Sequence, residues 1–243
     1  MRTSLIALNN PKEVWELMQT SKVLEKWYNY LDSLSVEDII GEKNLLLVLP
    51  CSSHKLPSYR QGKSDTYRLA YSLRFEEYMK LHIWTISEPL VIHPSDWKWV
   101  PDDEWEPKPR ILPYYDVTGL FYNIEQYKEE YEGCCKFLGD KLRKFIDRSN
   151  TTSFIFVVRP WMSHGDILKY AFNWSKVKDI TYDDRVLLLG ARCNANKEEI
   201  GNTGSWFLEK YIDLIKIIYN FYFYNDPFLE EKRKNEEENR GRK

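Results

Sequence analysis

One short segment of the sequence gathers several side chains that can do covalent chemistry. Residues 50–55 include a thiol at Cys51, an imidazole at His54 and an ammonium group at Lys55. Cationic neighbours or a helix N-terminus favour the thiolate form of cysteine, which is a strong nucleophile. We therefore predict that Cys51 is a nucleophile and that His54 and Lys55 donate a proton or stabilise negative charge. Burial of Cys51 as a small hydrophobic residue is the alternative.

The residues ahead of Cys51 predict the element that must present it. The run 44–50 is continuously apolar after its first residue, which is typical of a strand buried on both faces of a parallel sheet. The remaining pattern predicts extended segments at 82–86, 90–92, 153–158 and 185–190, and helices over 10–27, 64–81, 125–148 and 204–224. Strands that alternate with helices favour an α/β fold, specifically a three-layer α/β/α sandwich with a mostly parallel central sheet. Ligands bind such sheets at the carboxyl ends of the strands, which is where Cys51 falls.

Length and composition favour one domain with a substantial core. The 243 residues are 43% hydrophobic and 15% aromatic, which is enough apolar surface to fold without help. We predict a single α/β domain over residues 1–228, with an N-terminal helical layer, and a charged flexible tail over 229–243. Residues 94–113 are rich in proline, tryptophan and acidic side chains, which predicts a long ordered loop.

Charge and cysteine usage exclude several classes of protein. A formal net charge of −2 gives no protein-wide basic field, so any contact with nucleic acid must be local. The four cysteines form no CxxC pair, so their spacing indicates no zinc site, iron–sulfur cluster or disulfide framework. We expect no metal, no cofactor and a cytoplasmic location. We expect no membrane contact either, because no apolar run approaches roughly 18 residues.

The reactive segment also resembles a motif of one known family. In the core domain of archaeosine synthase, a tRNA-modifying enzyme family, this motif reads Pro-Cys-Ser-x-x-Lys-Pro-Tyr followed by Ser-x-Ser-His. The matching residues here are Pro50, Cys51, Ser52 and Lys55. The Pro-Tyr pair is interrupted, since residues 56–59 read Leu-Pro-Ser-Tyr, and Asp65 stands where the family has histidine. The resemblance covers roughly residues 45–119, and it implies a stand-alone or divergent member, because nothing resembles the family's transglycosylase-type or PUA modules.

The resemblance implies an amidinotransferase-like reaction on archaeal tRNA. In that reaction lysine or another amine adds to the nitrile of 7-cyano-7-deazaguanine, a base already present in the tRNA. A thiolate attacks the nitrile carbon to give a thioimide, which the amine then resolves. A radical enzyme or an accessory RNA-binding protein would be a further partner, since the chain lacks the cysteines for a radical step of its own.

The same resemblance extends the predicted site beyond the cysteine. The segment after Cys51 contributes predicted substrate-binding residues at Ser52, Lys63, Ser64 and Asp65. Because Asp65 replaces the family's histidine, His54 or His93 is expected to take over acid–base chemistry.

Acidic and basic side chains near other predicted strand ends complete the expected site. Glu88 and Asp116 are predicted to hold the amine or the exocyclic groups of the base, because carboxylates accept hydrogen bonds from both. Solvated loop acids are the alternative. Residues 159–166 and 190–194 are predicted loops that follow the strands 153–158 and 185–190 at the ligand edge. Arg159 and Arg192 are predicted to bind phosphate or a substrate carboxylate, and structural ion pairs of these arginines or of His164 are the alternative.

Aromatic residues between positions 97 and 115 have two possible uses. Tyr115, together with Tyr114, Trp97 and Trp99, is predicted to stack on a base that has been splayed out of the tRNA. The alternative is that these rings anchor a long loop to the core.

Two other functions stay open from the sequence. One is a non-catalytic module that binds tRNA or a partner and keeps only the fold. The other is a different nucleobase-modifying enzyme that acts on nucleic acid containing deazaguanine. Fold class alone does not separate these functions, because function depends on the site.

Overall fold

The computed structural model describes most of the chain, with several gaps. The described residues are 7–42, 44–52, 57–61, 64–73, 81–101, 104–117, 120, 123–159, 162–175, 180–190 and 212–217. The predicted site residues His54, Lys55, Lys63 and Arg192 lie outside these ranges, as does the predicted tail over 229–243.

Strands and helices are interspersed along the described residues. The strands are β1 (Ala7–Leu8), β2 (Leu45–Pro50), β3 (Leu81–Ser87), β4 (Val91–Pro94), β5 (Lys98–Val100), β6 (Ile111–Pro113), β7 (Asp116–Val117), β8 (Ser153–Val158), β9 (Ile180–Asp183) and β10 (Val186–Gly190). The helices are α1 (Pro11–Thr20), α2 (Lys22–Asp32), α3 (Val36–Ile40), α4 (Asp65–Ser72), α5 (Lys128–Arg148), α6 (Ser163–Phe172) and α7 (212–217).

A six-stranded mixed sheet is the centre of this described part of the chain. Its strand order is β4-β3-β2-β8-β10-β9. The four inner strands run parallel, and the two edge strands, β4 and β9, run antiparallel to their neighbours. In the register, Leu47 of β2 lies between Ile83 of β3 and Ile155 of β8. These inner strands are apolar and buried along most of their length, as strands covered on both faces are. The α/β class and the mostly parallel sheet are confirmed.

The predicted N-terminal helix over 10–27 is two helices. Asn10 caps α1 by accepting a hydrogen bond from the backbone N–H of Glu13. Ser21 has an extended backbone, which ends α1, and its side chain accepts from the N–H of Leu24 to begin α2. A serine in this position satisfies backbone groups at a helix start, so it breaks an otherwise continuous apolar periodicity.

Two further expectations need correction. The predicted loop 94–113 contains β5 and β6, which pair in parallel as a small separate sheet. The segment after β8 was expected to be a loop, but α6 begins within it, at Ser163. Its apolar residues Ile167, Leu168 and Phe172 recur at helical spacing and are buried.

Among the described residues, no helix is long and apolar enough to cross a bilayer.

Close contact between α5 and α6 depends on one glycine. A Cβ atom added at Gly139 of α5 would lie 2.8 Å from the Ile167 carbonyl oxygen and 2.9 Å from the Ala171 nitrogen, both in the backbone of α6. Because backbone cannot move aside as a flexible side chain can, Gly139→Ala is expected to lower the free energy of unfolding by about 1–3 kcal/mol. Thermal unfolding followed by circular dichroism measures this loss.

Gly133 on the same helix is the matched control. There an added Cβ atom would meet the ring of Trp15 at 3.4 Å, an ordinary contact distance. Gly133→Ala should therefore keep or slightly raise the stability, since alanine favours a helix by about 1 kcal/mol over glycine. Equal melting temperatures for the two variants would contradict the proposed tight contact at Gly139.

Candidate active site

Cys51 lies directly after β2, at the carboxyl end of an inner parallel strand. Its backbone N–H donates to the Ile86 carbonyl oxygen of β3 at 2.9 Å, which fixes its backbone to the sheet edge. The Cys51 side chain is half-buried and lines a cavity of about 200 Å³. A sulfur in this position is held by a rigid strand but is reached from a cleft, which is the location predicted for it.

Three reactive side chains meet at this point. The Cys51 Sγ atom lies 3.4 Å from His164 Nε2 and 3.4 Å from Glu88 Oε2. His164 Nε2 and Glu88 Oε2 are 3.1 Å apart. The three atoms therefore form a compact triangle in which each is within hydrogen-bonding reach of the other two.

The order of strands in the sheet explains why these residues meet. Glu88 directly follows β3, and His164 lies in the first turn of α6, soon after β8. Both strands are neighbours of β2 and run parallel to it, so all three carboxyl ends reach the same edge. Residues far apart in the sequence are in this way brought to one place.

Glu88 and His164 form a buried ion pair, with only 4% and 6% of each residue exposed. Burial alone would raise the pKa of Glu88, but the charge of His164 and hydrogen bonds from His164 and Ser163 hold it well below its usual value. Burial alone would likewise lower the pKa of His164, but Glu88 and Cys51 outweigh it and raise that pKa. Each charge thus stabilises the other in an interior where neither would be ionised alone.

Neighbouring hydroxyl groups orient the site. Ser163 Oγ donates to Glu88 Oε1, the carboxylate oxygen that does not contact Cys51. Tyr67 donates to the Pro50 carbonyl oxygen at 3.1 Å, and Ser52 donates its N–H to the Tyr59 hydroxyl at 3.4 Å. The rings of Tyr59 and Tyr67 stack with centroids 4.5 Å apart. These two buried tyrosines hold the backbone on both sides of Cys51.

Comparison with known proteins assigns no function to these residues. No family model, curated protein or solved structure matches the chain. The chemistry of the site is therefore argued from its own side chains, and the resemblance to archaeosine synthase stays a prediction.

Several predicted site residues lie around the cavity. Ser52, Ser64 and Arg159 line it together with Cys51, and Glu88 contacts the Cys51 sulfur. Asp65 is the first residue of α4, directly after Ser64. The three elements that follow β2, β3 and β8 therefore bring together residues that the sequence placed in separate loops.

Other predicted residues lie elsewhere in the described structure. His93 is buried in β4, where its ring stacks on Tyr59 and its Nδ1 lies 2.9 Å from the Pro94 carbonyl oxygen. The Tyr115 hydroxyl hydrogen-bonds to Ser21 Oγ at the start of α2. Asp116 belongs to β7, which pairs with β1. His93 and Tyr115 are not among the described residues that line the cavity.

The sequence interpretation missed His164 as the partner of Cys51. His164 was noted on the expected ligand edge of the sheet, but it was interpreted as a member of a structural ion pair. It does form an ion pair, and its Nε2 also contacts the nucleophile. The available signal was a Ser-His pair in the first turn of an amphipathic segment that follows a buried strand. Met162 and Thr66, which also line the cavity, carried no signal in the sequence.

Proposed function

We propose that this chain is a thiol-dependent enzyme that transfers an amine to the nitrile of 7-cyano-7-deazaguanine in tRNA. The observation that carries this proposal is the contact between Cys51 Sγ and His164 Nε2, with Glu88 beside both, at the edge of a cavity. A thiol with a proton-transfer partner is suited to covalent catalysis at an electrophilic carbon. The identity of the electrophile is taken from the resemblance of residues 50–55 to the archaeosine synthase motif.

The first step forms a covalent intermediate. The Cys51 sulfur bonds to the nitrile carbon, one π bond of the nitrile opens, and the thiol proton is transferred to the nitrile nitrogen. Glu88 and His164 lie within 3.4 Å of the sulfur, so they are placed to relay that proton. The product is a neutral thioimidate on Cys51.

The second step releases the product. The amine nitrogen attacks the thioimidate carbon, the carbon–sulfur bond breaks, and the sulfur regains a proton that the amine gives up. The new group on the base is an amidine. Atoms and electrons balance without an oxidant, a reductant or a cofactor, and one difficult addition is replaced by two easier ones.

The cavity wall suits charge that develops on the nitrile nitrogen. Arg159 lines the cavity, and the first turns of α4 and α6 also reach it through Ser64, Thr66 and His164. A guanidinium group and helix N-termini both stabilise negative charge. The volume of about 200 Å³ is smaller than the roughly 300–1,000 Å³ of typical ligand pockets, so the cavity is suited to one end of a base. The remaining tRNA would lie outside it, across the same edge of the proposed three-layer α/β/α sandwich.

The direct test uses tRNA that carries 7-cyano-7-deazaguanine. The protein is incubated with this tRNA and isotopically labelled lysine, and the nucleosides are then analysed by mass spectrometry. We expect a nucleoside heavier by one lysine, and without the amine we expect the tRNA to become covalently attached to the protein. Cys51→Ala supplies the matched control for both products.

The outcomes of this test separate the proposal from its alternatives. Neither product with lysine, glutamine or ammonia as the donor would contradict the proposed reaction. Binding of the tRNA without a covalent change would instead favour a non-catalytic binding module. The salt dependence of that binding would report how many phosphate groups the protein contacts.

A further inference from the structure

Cys51, Glu88 and His164 each present one ligand atom to a common point. The three separations among Sγ, Oε2 and Nε2 are 3.4, 3.4 and 3.1 Å. Zn²⁺ binds sulfur at about 2.3 Å and histidine nitrogen or carboxylate oxygen at about 2.0–2.2 Å, and a tetrahedral arrangement then spaces the ligand atoms about 3.3–3.6 Å apart. The side chains therefore already stand close to the spacing of three corners of a zinc tetrahedron.

We propose that Cys51, Glu88 and His164 bind a Zn²⁺ ion whose fourth coordination position opens to the adjacent cavity. Cys51 and His164 both line that cavity, so a fourth ligand such as water would enter from it. Three protein ligands and one open position are typical of a reactive zinc site and not of a closed structural one. This inference goes beyond the proposed function, because metal binding requires neither tRNA nor an amine.

The surroundings of Glu88 support metal binding. Ser163 donates to Oε1, which leaves Oε2 as the oxygen directed at Cys51 and His164. Hydrogen bonds of this kind fix a ligand's orientation and are a regular feature of metal sites. Glu88 and His164 are almost fully buried, so a bound ion would be largely shielded from water on their side. A carboxylate, a thiolate and a neutral imidazole also balance the two positive charges of the ion.

Metal binding and covalent catalysis compete for the same sulfur. When the ion binds, the thiol proton and the proton on His164 Nε2 leave to solvent, and bonds from zinc to sulfur, nitrogen and oxygen replace them. The sulfur electron pair that would attack the nitrile carbon is then shared with the metal. Bound zinc is therefore expected to slow reactions that use Cys51 as a nucleophile.

The test uses metal-free full-length protein. Titration with Zn²⁺ by calorimetry is expected to show one equivalent bound. Titration with Co²⁺ should produce the charge-transfer absorption of a cobalt–thiolate bond. Cys51→Ser should remove this absorption and weaken zinc binding by at least about a hundredfold, and Ser163→Ala should weaken it about ten- to a hundredfold.

Cys135→Ala is the matched control, because Cys135 is buried in α5 and does not line the cavity. It should keep both the cobalt absorption and the zinc affinity. In the wild-type protein, one equivalent of Zn²⁺ should slow alkylation of Cys51 by iodoacetamide at least about tenfold, read by peptide mass spectrometry. Circular dichroism of each variant checks that the fold is intact.

Two results would overturn the metal site. One is the absence of a cobalt–thiolate absorption in the wild-type protein. The other is equal zinc affinity in the wild-type protein and in Cys51→Ser. Both readings are made without tRNA, so failure of the tRNA reaction and failure of metal binding are distinguishable.

Discussion

The Cys51→Ser protein is expected to lose at least about a thousandfold of the wild-type amine-transfer rate and to keep its fold. A hydroxyl group is far harder to deprotonate than a thiol at neutral pH, so proton relay through Glu88 and His164 does not restore an equivalent nucleophile. Loss of a nucleophile that acts together with other catalytic groups commonly lowers the reaction rate by a factor on the order of 10³–10⁶. The measurement is the single-turnover rate of the modified nucleoside, with enzyme in excess over tRNA.

Two further variants make this result specific. Cys51→Ala should abolish the covalent protein–tRNA species, and Cys135→Ala, which alters a buried cysteine away from the cavity, should form it at the wild-type rate. A Cys51→Ser protein that turns over as fast as the wild type would show that the amine attacks the nitrile directly. In that case Cys51 would have no covalent role.

The position of Cys51 was predictable because the signal is local. A continuous apolar run such as 45–49 needs burial on both faces, and a parallel sheet supplies it. The residue that follows such a strand lies at the ligand-binding edge in most folds of this class. The same local pattern correctly predicted β8 over 153–158 and placed β10 within one residue of its start.

The partner of Cys51 was not predictable in this way. His164 reaches the sulfur only because β8 is the direct neighbour of β2, and strand order is a non-local property. The sequence motif directed attention to His54 and His93, which are closer along the chain. His93 instead lies in the antiparallel edge strand β4, with its ring packed against Tyr59 and Trp99. The histidine that contacts Cys51 in the fold is therefore not the one that lies closest to it in the sequence.

The tryptophans of the 94–113 segment are buried. Trp97 and Trp99 are 4% and 7% exposed, and Trp99 contacts the rings of Tyr59, His93 and Tyr114 edge to face. A ring in such a position has no free face for a nucleobase. Of the two uses that the sequence left open for these tryptophans, the buried positions favour anchoring the segment to the core.

Glu88→Gln is expected to cause the second large effect, on stability and on activity together. The amide has the shape of the carboxylate but no charge, so the buried imidazolium of His164 loses its partner. Removing one member of a buried ion pair lowers the free energy of unfolding by about 3–5 kcal/mol. The amine-transfer rate should fall by about a hundredfold or more, because the relay of the Cys51 proton is impaired. Urea unfolding and the single-turnover assay measure the two losses.

Glu37→Gln is the matched control for the loss of a carboxylate. Glu37 also accepts hydrogen bonds from hydroxyl groups, those of Thr151 and Thr152, but it does not line the cavity. Its replacement should cost little stability and leave the transfer rate unchanged. If Glu37→Gln lost as much stability and activity as Glu88→Gln, the effect would come from removing any hydrogen-bonded carboxylate and not from the site at Cys51.

The pH dependence and a double variant identify the ion pair as the cause. Because the pKa of Glu88 is lowered in the folded protein, its contribution to stability is complete above the usual carboxyl pKa. That contribution disappears as the pH falls through the lowered pKa of Glu88. The stability that Glu88→Gln loses relative to the wild type should therefore shrink in acid, when both proteins are measured in EDTA to keep the site free of metal. Adding His164→Gln removes the unpaired charge and should recover part of the stability, while activity stays low. A double variant that is less stable than Glu88→Gln would show that the shape of His164, and not its charge, holds this edge of the sheet together.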